Sequence, residues 1–439
     1  MNIRPVKITR AVLASVAPLA VLLAFVLAQA AHTQTAVNDK HLGVASCAST
    51  VCHGRGAPQA NRHVALNEYQ IWIEQDRHSL AFRALESAPA KQIAAKLRLP
   101  NAATAKLCLD CHADSVPLAQ QGPKFHVSDG VSCEVCHGGA ERWIETHSQR
   151  GATHRANVEH GLYPGERPLE RAELCLSCHL GTRDKFATHM IMAAGHPRLS
   201  FELDAFSVNQ PAHFIVDADY IERKGNIAGA NLWFAGQLAS AERFLTLLQT
   251  PLFTPGGMFP ELAFYDCYAC HHAKEKVEWS AARAGPGAAP GSVPLQRHTL
   301  VMLQAALAVL GTPDALARLT EDTDALLRAG QADPAAVRTA AQKLLEELHG
   351  LEGWTRRAYT PAELSRLRKT LLHYAAEDRA GDFPVAEQLV MGVEALSFSL
   401  ADRDRHKAAL DALFAAVKSG SDFNAAQFAA IAGRVQDQF

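Results

Sequence analysis

All ten cysteines of this 439-residue chain fall in five units in which the second cysteine is directly followed by a histidine. Four units have the spacing Cys-x-x-Cys-His, and the first has four residues between its cysteines. The units are Cys47, Cys52 and His53; Cys108, Cys111 and His112; Cys133, Cys136 and His137; Cys175, Cys178 and His179; and Cys267, Cys270 and His271. Any fold for this chain must accommodate five such turns.

This spacing indicates covalently bound haem c. Two thiols on one short turn match the two vinyl groups of haem, and the adjoining imidazole can bind one face of the iron. A zinc site would not need a histidine after each cysteine pair. A redox dithiol would occur once, and a disulfide framework would not place histidine after every second cysteine. We therefore expect five haem c groups, with a Cys47–Cys52 disulfide as the alternative at the first unit.

Each haem iron has a second axial position, which the motif histidine does not fill. Context outside the motifs favours six histidines as distal ligands: His78, His126, His147, His189, His196 and His298. The first of these follows a helical pattern that contains Trp72, and His189 and His196 are seven residues apart on one helix face. For each, the alternative is a surface or core histidine that is hydrogen-bonded to backbone. Five others are less favoured: His41, His63, His154, His160 and His213.

The N-terminus predicts export. Arg4, Lys7 and Arg10 precede an apolar run over residues 11–28, and Ala28-Gln29-Ala30 has the form of a cleavage site. We interpret residues 1–30 as a signal peptide. The alternative is an uncleaved membrane anchor, because the run approaches the roughly 20 residues that span a bilayer. Either way we expect the periplasm.

The pattern along the chain predicts a mainly α fold in two parts. Residues 41–283 are haem-dense and loop-rich, as expected of a pentahaem domain whose core is largely porphyrin, with one helical segment over 231–250. Residues 284–294 are rich in Gly, Pro and Ala and predict a linker. Residues 295–439 predict an α-helical bundle that docks a partner or caps a haem, with helices near 296–310, 313–328, 334–350, 360–378, 383–400, 403–418 and 424–437.

With these motifs in view, the chain resembles the cytochrome c-554 family of multihaem cytochromes. The resemblance covers roughly residues 41–275. It is carried by the stretch from Glu68 to His78 and by the run from His126 through Asp129-Gly130-Val131-Ser132-Cys133 to Trp143 and His147. It implies a fold organised around mostly bis-His haems, with His78, His126 and His147 as distal ligands. Five motifs and a long C-terminal region depart from the four-haem type.

These observations predict an electron-transfer protein more than an enzyme. Its partners would be periplasmic redox proteins or a quinol-oxidising membrane complex. The formal net charge of −2, with scattered Lys and Arg, excludes a nucleic-acid binder. One alternative is an oxidoreductase that acts on a small nitrogen or sulfur compound at one five-coordinate haem, with Arg183, Lys185 or Arg198 binding the anion. Another is a haem sensor or structural subunit, and the oligomeric state stays open.

Overall fold

The computed structural model describes residues 39–58, 64–226, 229–254, 256, 260–271, 288–377, 381–420 and 422–439. In these residues the chain is helical and loop-rich, and its only β pairing is two isolated bridges, His41 with Gln121 and Tyr265 with Leu295. The mainly α fold class is therefore confirmed. The predicted signal peptide, His63, and residues 284–287 of the predicted linker lie outside the described residues.

Among the described residues up to Leu248 there are eleven helices, and all of them except α7 and α11 are short. They are α1 (Glu68–Gln75), α2 (Ala81–Leu85), α3 (Ala88–Lys96), α4 (Lys106–His112), α5 (Cys133–His137), α6 (His154–Glu159), α7 (Pro168–His179), α8 (His189–Ala194), α9 (Leu203–Asn209), α10 (Ala218–Lys224) and α11 (Gly229–Leu248). The described part of the chain from residue 288 onward contains seven more: α12 (His298–Leu310), α13 (Pro313–Ala329), α14 (Pro334–Leu348), α15 (Pro361–Ala376), α16 (Phe383–Ser399), α17 (Lys407–Ala416) and α18 (Ala425–Val435).

The C-terminal helices begin where their capping residues predict. Thr312, Asp333 and Thr360 each accept a hydrogen bond from a backbone N–H of the first turn, and each is followed by proline. Side-chain caps satisfy N–H groups that have no partner within the helix, and proline at the first position has no N–H to satisfy. The seven helices lie within a few residues of the predicted segments.

The chain divides into two compact units. One comprises Met1–Phe82, Ala113–Pro164 and Phe214–Lys224, and contains the first and third cysteine units. The other comprises Arg83–His112, Gly165–His213 and Gly225–Phe439, and contains the remaining three together with the C-terminal helices.

Helix α11 joins the haem-motif region of the second unit to its helical bundle. Its Trp233 and Phe234 are buried in one core with α12, α15 and α16, and its Leu238 and Leu245 are buried in another with α12, α13 and α14. A helix that is apolar on most of its circumference is buried on most sides, and in α11 the exception is the polar strip with Glu242 and the exposed Thr246. The predicted helix over 231–250 is thus found at 229–248, inside the bundle. The boundary at residues 284–294 stays a prediction.

Across the part of the chain that the structure describes, every helix is too short or too polar to cross a membrane.

Candidate haem-binding sites

The cysteine units adopt tight helical turns. Three lie in α4, α5 and the end of α7, a 3-10 turn runs through Cys267–Ala269, and the first unit follows a 3-10 turn at Val44–Ser46. In a helix, residues three apart share one face, so both thiols of a Cys-x-x-Cys turn point the same way. All ten cysteines are free, including Cys47 and Cys52, for which a disulfide was the alternative.

In the first compact unit, His53 of the first motif lies opposite His147. The two ring centres are 6.2 Å apart and the ring planes are 15° from parallel. His53 Nδ1 is 2.9 Å from Glu68 Oε2, and His147 Nδ1 is 2.6 Å from the carbonyl oxygen of Ile144. Because both Nδ1 atoms are engaged as donors, both Nε2 atoms are free to bind a metal.

Trp143 and Glu68 shape this first site. Trp143 is buried and lies edge-on to His147, with ring centres 5.3 Å apart. The hydrogen bond with Glu68 raises the pKa of His53. Burial alone would raise the pKa of Glu68, but the contact with His53 and the backbone hydrogen bonds to this carboxylate together lower it. The carboxylate therefore stays ionised and holds the proton of His53 on Nδ1.

In the second compact unit, two more motif histidines face histidines from elsewhere in the sequence. His112 and His196 have ring centres 6.2 Å apart with planes at 86°, and His196 Nδ1 is 2.8 Å from the carbonyl oxygen of Pro197. His189 and His271 have ring centres 6.2 Å apart with planes at 38°. The backbone N–H of His189 donates to Glu261 Oε1 at 2.7 Å.

The common separation fits a metal ion between the rings. An iron bound by two imidazoles would hold their ring centres roughly 6 Å apart, because each metal–nitrogen bond is about 2 Å long and each nitrogen lies about 1 Å from its ring centre. Direct stacking would bring the rings closer, as for His179 and Phe201 at 4.7 Å. Three pairs at one separation, with three different interplanar angles, therefore fit bis-His haem iron.

Thiols of different motifs meet within each compact unit. Cys47 shares a hydrogen bond with Cys133, and Cys111 shares one with Cys178.

Lys185 Nζ donates to Cys178 Sγ at 3.1 Å and to the carbonyl oxygen of Asp110 at 3.2 Å. The contacts with Cys111 and Lys185 lower the pKa of Cys178 to about 5, whereas burial raises the pKa of Cys175 to about 11. Once these sulfurs are thioethers neither ionises, and Lys185 remains as the local charge.

Three other distal candidates have distinct surroundings. His78 Nδ1 is 2.8 Å from Asp76 Oδ1, in the same donor arrangement as His53. His126 is exposed and precedes the 3-10 turn Val127–Asp129. His298 begins α12, and its Nδ1 is buried without a hydrogen-bond partner among the described residues. Burial and the nearby Arg198 lower the pKa of His298 to about 4, so its imidazole is neutral.

The two remaining motif histidines end their helices. His137 is the last residue of α5, and its carbonyl oxygen accepts a hydrogen bond from Tyr163 N at 2.8 Å. His179 is the last residue of α7 and packs against Phe201, and against Phe206 with ring centres 5.5 Å apart.

Sequence reasoning missed the carboxylates that hold these sites. The buried Glu134, inside the third motif, accepts backbone hydrogen bonds from Leu42, Gly43 and Ala140. Glu261 accepts from the backbone of His189 and from that of Ala263. The position of Glu134 inside a Cys-x-x-Cys turn was the one sequence feature that could have indicated its role. Glu261 is distant in sequence from His189, so no sequence pattern could have indicated their contact.

The three basic residues considered for anion binding are already engaged. Arg198 forms an ion pair with Glu387 at 2.8 Å, and Arg183 lies 3.3 Å from Asp184. Lys185 is bonded to Cys178 and Asp110, as described above. The described contacts thus give these cations structural partners.

Comparison with known proteins bears on the first three motifs. Residues 46–138 match the family model described as cytochrome c554 and c-prime. This segment belongs to the cytochrome c554 family. No curated protein and no solved structure matches the chain. The cytochrome c554 segment is shorter than the resemblance drawn from the sequence, and it contains the units at Cys47, Cys108 and Cys133. The protein is therefore a c-type cytochrome with covalently bound haem and an electron-transfer function.

Proposed function

We propose that this protein is a periplasmic electron carrier with five covalently bound haems, most of them bis-His ligated. The observation that carries the proposal is the three histidine pairs with ring centres 6.2 Å apart. Each pair joins a motif histidine to a histidine outside the motifs. Two imidazoles saturate an iron and favour electron transfer over substrate binding.

The chain's own residues set the properties of each site. Bound haem supplies a reversible one-electron couple. Glu68 fixes the ring of His53 and increases the basicity of its Nε2, which favours the oxidised iron. Trp143 shields His147 from solvent, and burial of this kind also tunes potentials. The different interplanar angles of the three pairs make the sites electronically distinct.

The electron-carrier function also implies a class of redox partner. Redox proteins of the periplasm, or a membrane complex that oxidises quinol, would supply and accept the electrons one at a time. Membership of an exported class of cytochromes and the N-terminal apolar run support this location. The alternative, catalysis on a small nitrogen or sulfur compound, requires one five-coordinate haem.

Haem counting and low-temperature EPR of the oxidised holoprotein test the proposal. We expect five haems per chain by pyridine haemochrome and low-spin signals without a high-spin component. The near-parallel rings of His53 and His147 should give a rhombic signal, and the near-perpendicular rings of His112 and His196 a strongly axial one at larger g. Fewer than five haems, or a high-spin signal that shifts on adding nitrite, would contradict the proposal.

A ligand variant sharpens the test. His147→Met should abolish the rhombic signal and leave the axial one, because only one site loses an imidazole. His373→Met is the matched control, since His373 lies on α15 and pairs with Glu377 at 3.1 Å. A rhombic signal that survives in His147→Met would sink the assignment of this pair.

A further inference from the structure

Two buried acidic residues lie on the segment that covers His179. Glu202 follows Phe201 directly, and Asp204 lies two residues before Phe206. Both phenyl rings contact the imidazole of His179, with ring centres 4.7 and 5.5 Å from it. The exposed fractions of Glu202 and Asp204 are 2% and 3%. The two acids thus lie on the same segment as the rings that cover His179, the ligand of the haem that the Cys175 unit would carry.

The pair is unequally supplied with hydrogen bonds. Glu202 caps α9, and its two carboxyl oxygens accept from the backbone N–H groups of Asp204 and Ala205 at 3.0 and 2.7 Å. Asp204 Oδ2 is buried and accepts no hydrogen bond from the described residues, and the Ser399 hydroxyl is likewise unpartnered. A Cβ at Gly229 would lie 2.9 Å from Asp204 Oδ1 and 3.0 Å from Ser399 Oγ. The glycine therefore lets α11 approach these oxygens.

The charges around the pair are mostly negative. Helix α16 contributes Glu394, whose own cation is Arg403 at 3.0 Å. The nearby cation Arg198 is paired with Glu387. Helix α11 packs against α9 with small and apolar residues such as Gly236 and Leu232. Among the described residues, neither Glu202 nor Asp204 has an ion-pair partner.

Two carboxylates in this setting cannot both be ionised at neutral pH. Burial without a counter-ion disfavours charge, and a second negative charge nearby disfavours it further. Burial raises the pKa of Glu202 to about 8 and that of Asp204 to about 7. Glu202 therefore keeps its proton to the higher pH, which leaves Asp204, whose Oδ2 accepts no hydrogen bond from the described residues, as the group that takes up a proton near pH 7.

We infer that Glu202 and Asp204 form a proton-accepting site that couples protonation to reduction of the haem bound through Cys175 and Cys178. This inference rests on the proposed electron-carrier function. Bound haem would supply the one-electron couple here, and Asp204 would take up one proton from solvent for each electron that the donor supplies. Glu394, whose charge acts on Asp204, is 15% exposed, and we expect the proton to enter on its side. When the electron leaves to the acceptor, the proton returns, so charge stays balanced in both directions.

Potentiometric titration of the holoprotein, followed by visible spectroscopy at several pH values, tests the inference. One haem potential should fall with rising pH around pH 7 to 8, by up to about 59 mV per pH unit, the one-electron equivalent of a tenfold change in proton activity. Asp204→Asn should flatten this slope. Asp322→Asn is the matched control, because Asp322 is an equally buried acid on α13 that pairs with Lys343 at 2.6 Å. The control should keep the slope.

Potentials that do not change with pH in the wild type, or a slope that persists in Asp204→Asn, would overturn the inference. The haem propionates also titrate, and a slope shared by the variant would assign the effect to them. If Asp204→Asn fails to fold, a reduced-minus-oxidised infrared difference spectrum of the wild type decides the question. It should show a protonated carboxylic acid band that appears on reduction. A protein with five low-spin haems and no such band would retain its proposed function without this coupling.

Discussion

At the scale of single residues, the Nδ1 partner of each histidine distinguishes the sites. His53 and His78 face the carboxylates of Glu68 and Asp76, whereas His147 and His196 face backbone carbonyl oxygens. A carboxylate that accepts a hydrogen bond from Nδ1 makes the Nε2 of the imidazole a stronger electron donor to iron than a carbonyl oxygen does. Stronger electron donation to the iron stabilises iron(III) relative to iron(II). The site with Glu68 should therefore have a lowered potential relative to one with carbonyl partners alone.

Replacing this carboxylate should raise one potential. In Glu68→Gln the amide keeps the hydrogen bond to His53 but lacks the negative charge, so we expect an upward shift on the order of 60 mV, the one-electron equivalent of tenfold. A redox titration followed by EPR of the rhombic signal measures it. Glu74→Gln on the same helix is the control and should leave every potential unchanged. A shift of equal size in both variants would mean that the effect is not carried by the hydrogen bond.

The sequence was informative about residues wherever chemistry depends on local spacing. The five motifs needed only the order of Cys and His, and His147 was favoured because it follows the third motif closely. The hydrogen-bond partner of His53, Glu68, could not be predicted in this way, because the contact depends on how the turn before α1 folds back toward the motif. Glu261 lies further still from His189 along the chain. Contacts of this kind follow from packing, which leaves no periodic signal.

At the scale of elements, α8 shows how a one-turn helix can place a ligand. Thr188 caps it by accepting from the N–H of Ile191, and His189 is its first residue. Glu261 accepts from His189 N at 2.7 Å and from Ala263 N at 3.0 Å. One carboxylate thus ties the distal candidate His189 to the segment that leads into Cys267 and His271.

Removing this tie should loosen the His189–His271 site. In Glu261→Ala two partly buried N–H groups lose their acceptor, and each loss costs at most about 1–3 kcal/mol, the penalty for a fully buried group. We expect a partial high-spin EPR signal from one haem and a lower thermal midpoint. Glu261→Gln keeps an acceptor oxygen at the same place and should restore the low-spin spectrum. A fully low-spin Glu261→Ala variant would contradict the positioning role.

The helices were predictable where a capping residue and a proline mark their first turn. Segments that open with a capping residue and proline, such as Thr312-Pro313 and Thr360-Pro361, were predicted to within a few residues. The short helices around the haem motifs were not, because a helix of one or two turns carries too little periodicity to be recognised. Their stability comes from capping contacts and from the packing that the haem sites impose.

At the scale of the molecule, α11 makes the C-terminal helices a part of the second compact unit. Its side chains enter both hydrophobic cores of the bundle, and its Leu232 and Ala235 pack with Leu176 of α7, in the turn that carries the fourth motif. The helix therefore buries one face against a haem-binding element and the others against the bundle. A bundle attached in this way is part of the packing that holds the turn of the fourth motif.

Truncation tests this dependence. A chain that ends at residue 294 would expose the buried Trp233, Phe234, Leu238 and Leu245, and each such side chain is worth about 1.5–3 kcal/mol when it leaves the core. We expect the truncated chain, expressed from residue 1 together with haem-attachment machinery, to be insoluble or to lack the haems of the second unit. The full chain expressed in parallel is the control. Soluble truncated protein with five haems per chain would instead mean that residues 1–294 fold on their own, as the predicted linker implies. The bundle's role would then be docking, because its loss would leave the haem sites intact and alter only the rate of electron exchange with partners.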